Sequence, residues 1–264
     1  MYNLIKIMYK NLFAAKRLEP VLFLIITIAL IQHASEVYSQ DLTKSELLAE
    51  LDRLAEQTED KVIKWRRDIH QHPELSNREY RTSKLVAEHL QSLGMEVRTE
   101  IAHTGVVAIL RGNNLSPLVA LRADMDALPV TEEVDVPFAS KVRTEYNGQE
   151  VGVMHACGHD CHTAMLMGVA EILSTMRNHL PGSVKFIFQP AEEGAPPGEE
   201  GGAALMIREG AFENYHTDVI FGQHIITDFE VGTIGYKQGG TMASVDGLDI
   251  TVHRAQEPRA VCVL

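Results

Sequence analysis

The sequence contains few cysteines: three among 264 residues, Cys157, Cys161 and Cys262. Small exported domains that depend on disulfides usually carry more cysteines, in even number. The sparse, odd count therefore argues against a disulfide framework. A bridge between Cys157 and Cys161 stays open as an alternative, but the residues around Cys157 favour another role.

Basic residues are also scarce. The chain has 24 Lys and Arg against 36 Asp and Glu, which gives a formal net charge of −12, and no basic stripe is visible. Nucleic-acid binding requires clustered Lys and Arg side chains that neutralise phosphates. We therefore expect no nucleic-acid partner.

The apolar run Val21–Ile31 is short, because a membrane-spanning helix needs about 20 apolar residues. Basic residues, from Lys6 to Arg17, precede it, and Ser39 offers the small residue that a signal peptidase requires. This pattern predicts a signal peptide over residues 1–39 and export to the periplasm or the medium. An uncleaved membrane anchor is the alternative; after cleavage we expect no stable membrane association.

Beyond Thr43, which is a plausible N-cap, the spacing of apolar residues indicates alternating helices and strands. Helices are predicted over 44–71, 78–93, 161–176 and 202–209. Strands are predicted over 95–101, 106–111, 118–123, 184–188, 219–222, 231–236 and 248–252. Such alternation predicts an α/β fold with a mostly parallel sheet flanked by helices, in which binding sites gather at the carboxyl ends of strands.

The segment HACGHDCH, from His155 to His162, has the densest set of reactive side chains. Thiolate and imidazole ligands together suit zinc and related transition metals. Gly158 allows a turn that lets Cys157 and His159 face one ion, and Asp160 is placed to orient a neighbouring imidazole. The alternative is a helix N-terminus with a chance run of His and Cys.

Three further segments place polar residues at predicted strand ends. Glu192 and Glu193 follow the apolar strand VKFIF, His224 follows VIFG, and Asp124 and Asp126 follow LVALRA. Adjacent carboxylates can divide metal binding and proton transfer between them. Each segment alone would more often be a solvated loop or a structural feature; their combination favours a metal-dependent site.

These motifs, RADMDALP, MHACGHDCHTAMLMGVAEIL, FQPAEEG and FGQH, occur in the order typical of the peptidase M20 amidohydrolases, which the chain resembles over about residues 60–253. They are most similar to the branch of aminoacylases, hippurate hydrolases and auxin-conjugate hydrolases. Upstream, HQHPELS is similar to that branch as well. The resemblance implies hydrolysis of the amide bond of small-molecule N-acyl amino acids or related amides.

The resemblance also implies roles for individual residues. The metal ligands would be Cys157, His159, Glu193 and His224, which bind two divalent ions, Zn²⁺ or Mn²⁺. Glu192 would be the general acid and base. Asp124 would orient the ligands, and His162 would line the substrate pocket.

The implied domain organisation assigns residues 40–245 to the N-terminal part of a metallohydrolase catalytic domain. Residues 246–264 would begin an inserted dimerisation domain, with a divergent tail after His253, so that most of the dimerisation domain would be missing. One alternative is therefore a truncated, catalytically defective fragment that keeps the fold and partial metal binding. Another is an exported metal-storage or metal-sensing protein.

We predict that protein recovered from the producing cell begins at or near Gln40, because residues 1–39 have the order of a cleaved signal peptide. N-terminal sequencing of that protein tests this. An intact Met1 on membrane-bound protein would contradict it.

Overall fold

The computed structural model describes residues 42–213 and 215–240. The predicted signal peptide over residues 1–39, the strand predicted over 248–252 and the segment 246–264 lie outside the described residues. In the described part of the chain, no helix combines the length and the apolarity needed to cross a membrane.

The helices form close to where apolar spacing predicts them. Helix α1 begins with a capping box, in which Thr43 Oγ1 accepts a hydrogen bond from the Glu46 amide at 3.3 Å and the Glu46 carboxylate accepts one from the Thr43 amide at 2.8 Å. The described helices are α1 (Lys44–Gln71), α2 (Tyr80–Ser92), α3 (His159–Thr175) and α4 (Gly202–Arg208). Helix α3 starts two residues earlier than predicted, because Gly158 turns the chain with a φ of +86° immediately before it.

Within residues 42–240 as described, five strands form one sheet in the order β1-β2-β6-β3-β7, and two more form a separate hairpin. The strands are β1 (Glu96–Ile101), β2 (Gly105–Leu110), β3 (Leu118–Asp124), β4 (Arg143–Tyr146), β5 (Gln149–Gly152), β6 (Ser183–Gln189) and β7 (Val219–Gly222). Strand β3 pairs in parallel with both β6 and β7, whereas β2 pairs antiparallel with β1 and β6. The α/β class is confirmed.

The sheet is mixed, where the sequence predicts a mostly parallel one. Strands β1 and β2 are joined by only three residues, a connection too short for the crossover that parallel neighbours need. Ala102 and His103 make this turn with φ angles of +51° and +76°. The antiparallel half is thus a consequence of one tight turn.

Two strand predictions differ from the structure. The hairpin β4–β5 was missed, although Asn147-Gly148 at its turn is a strong hairpin signal and both residues have positive φ. The strand predicted over 231–236 is wrong: residues 226–240 form turns without a regular element, and Val231, Ile234 and Tyr236 are almost fully exposed. Apolar side chains stabilise a strand only when they are buried, and these three remain exposed.

The sheet buries apolar side chains on both faces. On one face, Phe186 and Phe188 of β6 pack with Leu90 of α2 and Met167 of α3. On the other face, Ile187 packs with Leu205 of α4. Burial on both sides explains why β6 reads as a continuous buried strand, whereas all four residues of β7, at the sheet edge, are exposed.

Helix α3 also lies against α1, and Gly168 makes this approach close. A methyl group at position 168 would come 2.6 Å from Val62 Cγ2. Because a valine in a helix strongly prefers one χ1 rotamer, its methyl group cannot turn away without cost, and the contact requires the absence of a side chain at 168.

We therefore expect Gly168→Ala to lower stability in urea unfolding. Overpacking costs about 1–3 kcal/mol, which exceeds the gain of about 1 kcal/mol that Ala brings over Gly in a helix. In a Val62→Ala background the same change should stabilise, because only the helix gain remains. A single Gly168→Ala variant more stable than the parent would contradict the close contact.

Candidate metal centre

The candidate centre lies where three parallel strands end. Asp124 is the last residue of β3, Glu192 and Glu193 follow β6, and His224 follows β7. Because β6, β3 and β7 are neighbours in this order, their carboxyl ends meet at one edge of the sheet. The start of α3 brings Cys157 and His159 to the same edge.

His159 occupies the middle of this cluster. Its Nε2 lies 3.7 Å from carboxylate oxygens of Asp124, Glu192 and Glu193, is buried, and makes no hydrogen bond with the described residues. Its Nδ1 donates a hydrogen bond to the backbone carbonyl of Asp126 at 2.8 Å. The proton is thereby held on Nδ1, which leaves the Nε2 lone pair directed into the cluster as a metal ligand requires.

The charges around His159 favour a cation. Burial alone would lower the pKa of His159, but the carboxylate of Asp126, 3.3 Å from Nδ1, and the negative charges of Asp124 and Glu193 raise it overall. The same carboxylates that favour a proton on the imidazole would favour a metal ion beside it. An unpaired buried nitrogen amid carboxylates fits a divalent cation.

Cys157 and His224 close one side of the centre. Cys157 Sγ lies 3.3 Å from His224 Nε2, and His224 Nδ1 donates to the carbonyl of Ile225 at 2.6 Å. His224 thus resembles His159 in having Nδ1 on a backbone carbonyl, while its Nε2 faces the Cys157 sulfur. Burial, and then the charges of Glu193 and Glu192, raise the pKa of the Cys157 thiol to about 12.

Among the described residues, the potential ligand atoms form three overlapping groups, each with its atoms within 4.8 Å of one another. His159 belongs to all three. The groups are Cys157, His159 and His224; His159, Glu192 and Glu193; and Asp124, His159 and His162. The structure therefore brings together all four residues expected as ligands and the glutamate expected as base.

Asp124 is a buried, ionised carboxylate beside His159. Burial would raise its pKa, but His162, Arg122 and His159 together lower it to about 2. His162 Nδ1 donates to Asp124 Oδ1 at 2.6 Å, and Arg122 pairs with Asp124 Oδ2 at 2.5 Å. Asp124 is held in place by these two contacts.

His162 was expected to line the substrate pocket, but it is 1% exposed and both ring nitrogens are used within the protein. Besides donating to Asp124, it accepts a hydrogen bond on Nε2 from the Ile225 amide at 3.0 Å. The structure therefore places His162 between Asp124 and the segment that follows His224.

Asp160 hydrogen-bonds an imidazole, but not one of the expected ligands. Its Oδ2 accepts from His70 Nδ1 at 2.9 Å and lies 2.7 Å from Arg66 Nε. His70 Nε2 lies 3.0 Å from Glu132. The hydrogen bond to Asp160 is the largest cause of the raised pKa of His70. The His70 ring thus lies between two carboxylates, Asp160 and Glu132.

Sequence reasoning gave no specific role to Asp126, whose carbonyl holds His159. Asp126 Oδ2 also accepts hydrogen bonds from the Glu193 amide at 3.0 Å and from Ser76 Oγ at 2.7 Å. The only signal was its position two residues after Asp124 in the same motif.

The chain is similar in sequence to known proteins of one family. The sequence pattern of peptidase family M20/M25/M40 matches residues 120–262. The chain is 46% identical over 209 residues to thermostable carboxypeptidase 2 of Saccharolobus solfataricus (79% of this chain, 50% of that protein). It is 43% identical over 203 residues to an N-acyl-L-amino acid amidohydrolase of Geobacillus stearothermophilus (77% of this chain, 51% of that protein).

A solved structure shows the same fold. It is the Bacillus subtilis YXEP protein, a dinuclear metal-binding peptidase of family M20, with a TM-score of 0.61 and 42% identity over 70% of this chain and 48% of that one. The chain spans about half the length of these relatives. Because the family pattern covers more than half of its residues, the chain belongs to peptidase family M20/M25/M40.

Proposed function

We propose that this chain forms the metal centre of an amidohydrolase that cleaves the amide bond of N-acyl amino acids or related amides. The observation that carries the proposal is the buried Nε2 of His159, which has no hydrogen-bond partner among the described residues. It faces carboxylates and lies in one group with Cys157 and His224. The name of the Geobacillus relative, N-acyl-L-amino acid amidohydrolase, supports the substrate class. We also propose export, which rests on the composition of residues 1–39.

Two divalent ions would be held by Cys157, His159, Glu193 and His224. The mixture of thiolate, imidazole and carboxylate suits Zn²⁺ and is compatible with Mn²⁺. Such ions, when bound, lower the pKa of water and polarise a substrate carbonyl.

The two glutamates differ in a way that supports different roles. The side chain of Glu193 is 22% exposed, and its backbone amide is anchored to Asp126. The side chain of Glu192 is 40% exposed and, within the described part of the chain, its carboxylate makes no hydrogen bond. Glu192 is therefore free to accept a proton from water and to pass it to the departing amine, while Glu193 serves as a ligand.

Loss of a residue that hydrogen-bonds a metal ligand typically weakens metal binding by about 10–100-fold. Cys157→Ala removes a ligand itself, so it should weaken Zn²⁺ binding by more than that. The Cys157 thiol, with its pKa raised to about 12, is protonated near neutral pH and must release its proton to bind metal. The parent should therefore release one more proton than the variant when it binds zinc, and its zinc affinity should rise more steeply with pH. Competition with a chelator at several pH values measures both effects.

Cys161→Ala is the matched control, since Cys161 is a free, half-buried cysteine of the same segment that belongs to none of the three ligand groups. It should keep the affinity and the pH slope of the parent. Equal slopes in the parent and Cys157→Ala would remove the thiolate from the centre.

Glu192→Gln should retain bound metal while turnover of N-acyl amino acids falls by about 10²–10⁴-fold, because only the proton acceptor is lost. Glu193→Gln should instead lose metal and turnover together. Turnover is measured on the 264-residue chain and on a chimera continued with the distal half of the Geobacillus relative. Metal content is measured by mass spectrometry on the same samples.

Undiminished turnover in Glu192→Gln would show that another group moves the proton. The two forms of the protein also separate the alternatives for the chain itself. Turnover by the chimera alone would favour the defective fragment, and metal binding without turnover in either form would favour storage or sensing.

A further inference from the structure

Glu79 is a fully buried carboxylate outside the three ligand groups. It immediately precedes α2, more than 100 residues from the glutamate pair in sequence. Its Oε1 accepts a hydrogen bond from the Ala191 amide at 2.9 Å, and its Oε2 accepts one from Thr104 Oγ1 at 2.5 Å. One of these partners, Ala191, is the residue directly before Glu192.

Ala191 has an unfavourable backbone conformation. Its φ is +49°, in the left-handed region, which costs a residue with a Cβ about 1–2 kcal/mol. It is buried, and its carbonyl oxygen lies so near Gly202 that a side chain there would approach it to 2.8 Å. The amide of Ala191 is therefore held by Glu79, and its carbonyl oxygen lies close to the first residue of α4.

This conformation determines how the chain leaves β6. Strand β6 ends at Gln189, and Pro190 and Ala191 turn the chain so that Glu192 and Glu193 both lie 3.7 Å from His159 Nε2. Strained backbone of this kind persists only where its surroundings fix it. The Glu79 contact is one such restraint, and the hydrogen bond from the Glu193 amide to Asp126 is the next along the turn.

A buried carboxylate is costly when no cation compensates it. Glu79 forms no salt bridge with the described residues, and burial raises its pKa to about 7 despite its hydrogen bonds to Thr104 and Ala191. Either protonation state retains an oxygen that can accept from the Ala191 amide. The acceptor, rather than the charge, is thus the property that the geometry uses.

We propose that Glu79 is a positioning residue for the glutamate pair: by accepting the Ala191 amide, it fixes the left-handed turn that directs Glu192 and Glu193 toward His159. The inference rests on the proposed function for its catalytic meaning. Its structural content, a restraint on residues 190–193, can be tested without turnover.

The test compares two neutral variants of similar size. Glu79→Gln keeps a carbonyl oxygen for the Ala191 amide, whereas Glu79→Met fills the space without an acceptor. We expect Glu79→Met to weaken Zn²⁺ binding by about 10–100-fold, the loss typical of removing a positioning contact. Glu79→Gln, which keeps the acceptor, should retain the zinc affinity of the parent. Zinc affinity is measured by chelator competition on folded protein.

Thr104→Val is the control for general disturbance of this buried site. It removes the other hydrogen bond of Glu79 but leaves the Ala191 contact, so zinc affinity should stay near that of the parent. Equal losses in Glu79→Gln and Glu79→Met would assign the effect to charge, and a loss in Thr104→Val as large as in Glu79→Met would assign it to packing. Either result, or a Glu79→Met variant with the zinc affinity of the parent, would overturn the proposal.

Hydrogen exchange of the metal-free proteins separates this inference from the proposed function. Peptides that cover residues 190–193 should exchange faster in Glu79→Met than in Glu79→Gln, whether or not the protein hydrolyses amides. A parent that neither binds zinc nor turns over would refute the proposed function, while equal exchange in the two variants would refute the positioning role. Should Glu79→Met fail to fold, the same pair is compared in an Ala191→Gly background, where positive φ carries no side-chain cost.

Discussion

The candidate centre depends on the hydrogen bond from His159 Nδ1 to the carbonyl of Asp126. This one contact decides which ring nitrogen carries the proton and turns the other toward the carboxylates. It also joins two segments that are distant in sequence, since Asp126 follows β3 and His159 opens α3. Without it, the imidazole could rotate or shift its proton, and its surrounding acids would face a donor rather than a lone pair.

The sheet supplies the second constraint. Residues at the ends of β3, β6 and β7 meet only because these strands run in parallel and in this order, with Asp124 opposite Gln189 and Arg122 opposite Gly222. The antiparallel strands β1 and β2 extend the core but contribute no ligand atom to the described groups. The mixed sheet thus separates a part that stabilises the fold from a part that carries chemistry.

Local sequence predicts the helices and most strands because apolar spacing and capping residues act over a few positions, as Thr43 and Glu46 show at the start of α1. It also singles out Cys157, His159, Glu192, Glu193 and His224, since each has a reactive side chain at a strand end or helix start. Strand order is not a local property, so these patterns placed the residues at strand ends, and the resemblance to a known family assigned them to one centre. The role of Asp126 was beyond reach for another reason: its contact with His159 uses a main-chain carbonyl, which every residue type possesses. His162 shows the same limit, because the side chain that looked available to substrate proves to be enclosed between Asp124 and Ile225.

The position of His224 after β7 has a thermodynamic consequence. Strand β7 is a sheet-edge strand of four exposed residues, paired in the described structure with β3 alone, and such edges are where local opening is easiest. An ion that binds His224 together with Cys157 and His159 would bind only the state in which β7 is paired with β3, and not the state in which β7 has separated from the sheet. By mass action, an ion at 100 times its dissociation constant would favour closure by about 2.7 kcal/mol. Strand β7 would then be held in place by the ion rather than by the packing of its own side chains, and it would open more often when the ion is absent.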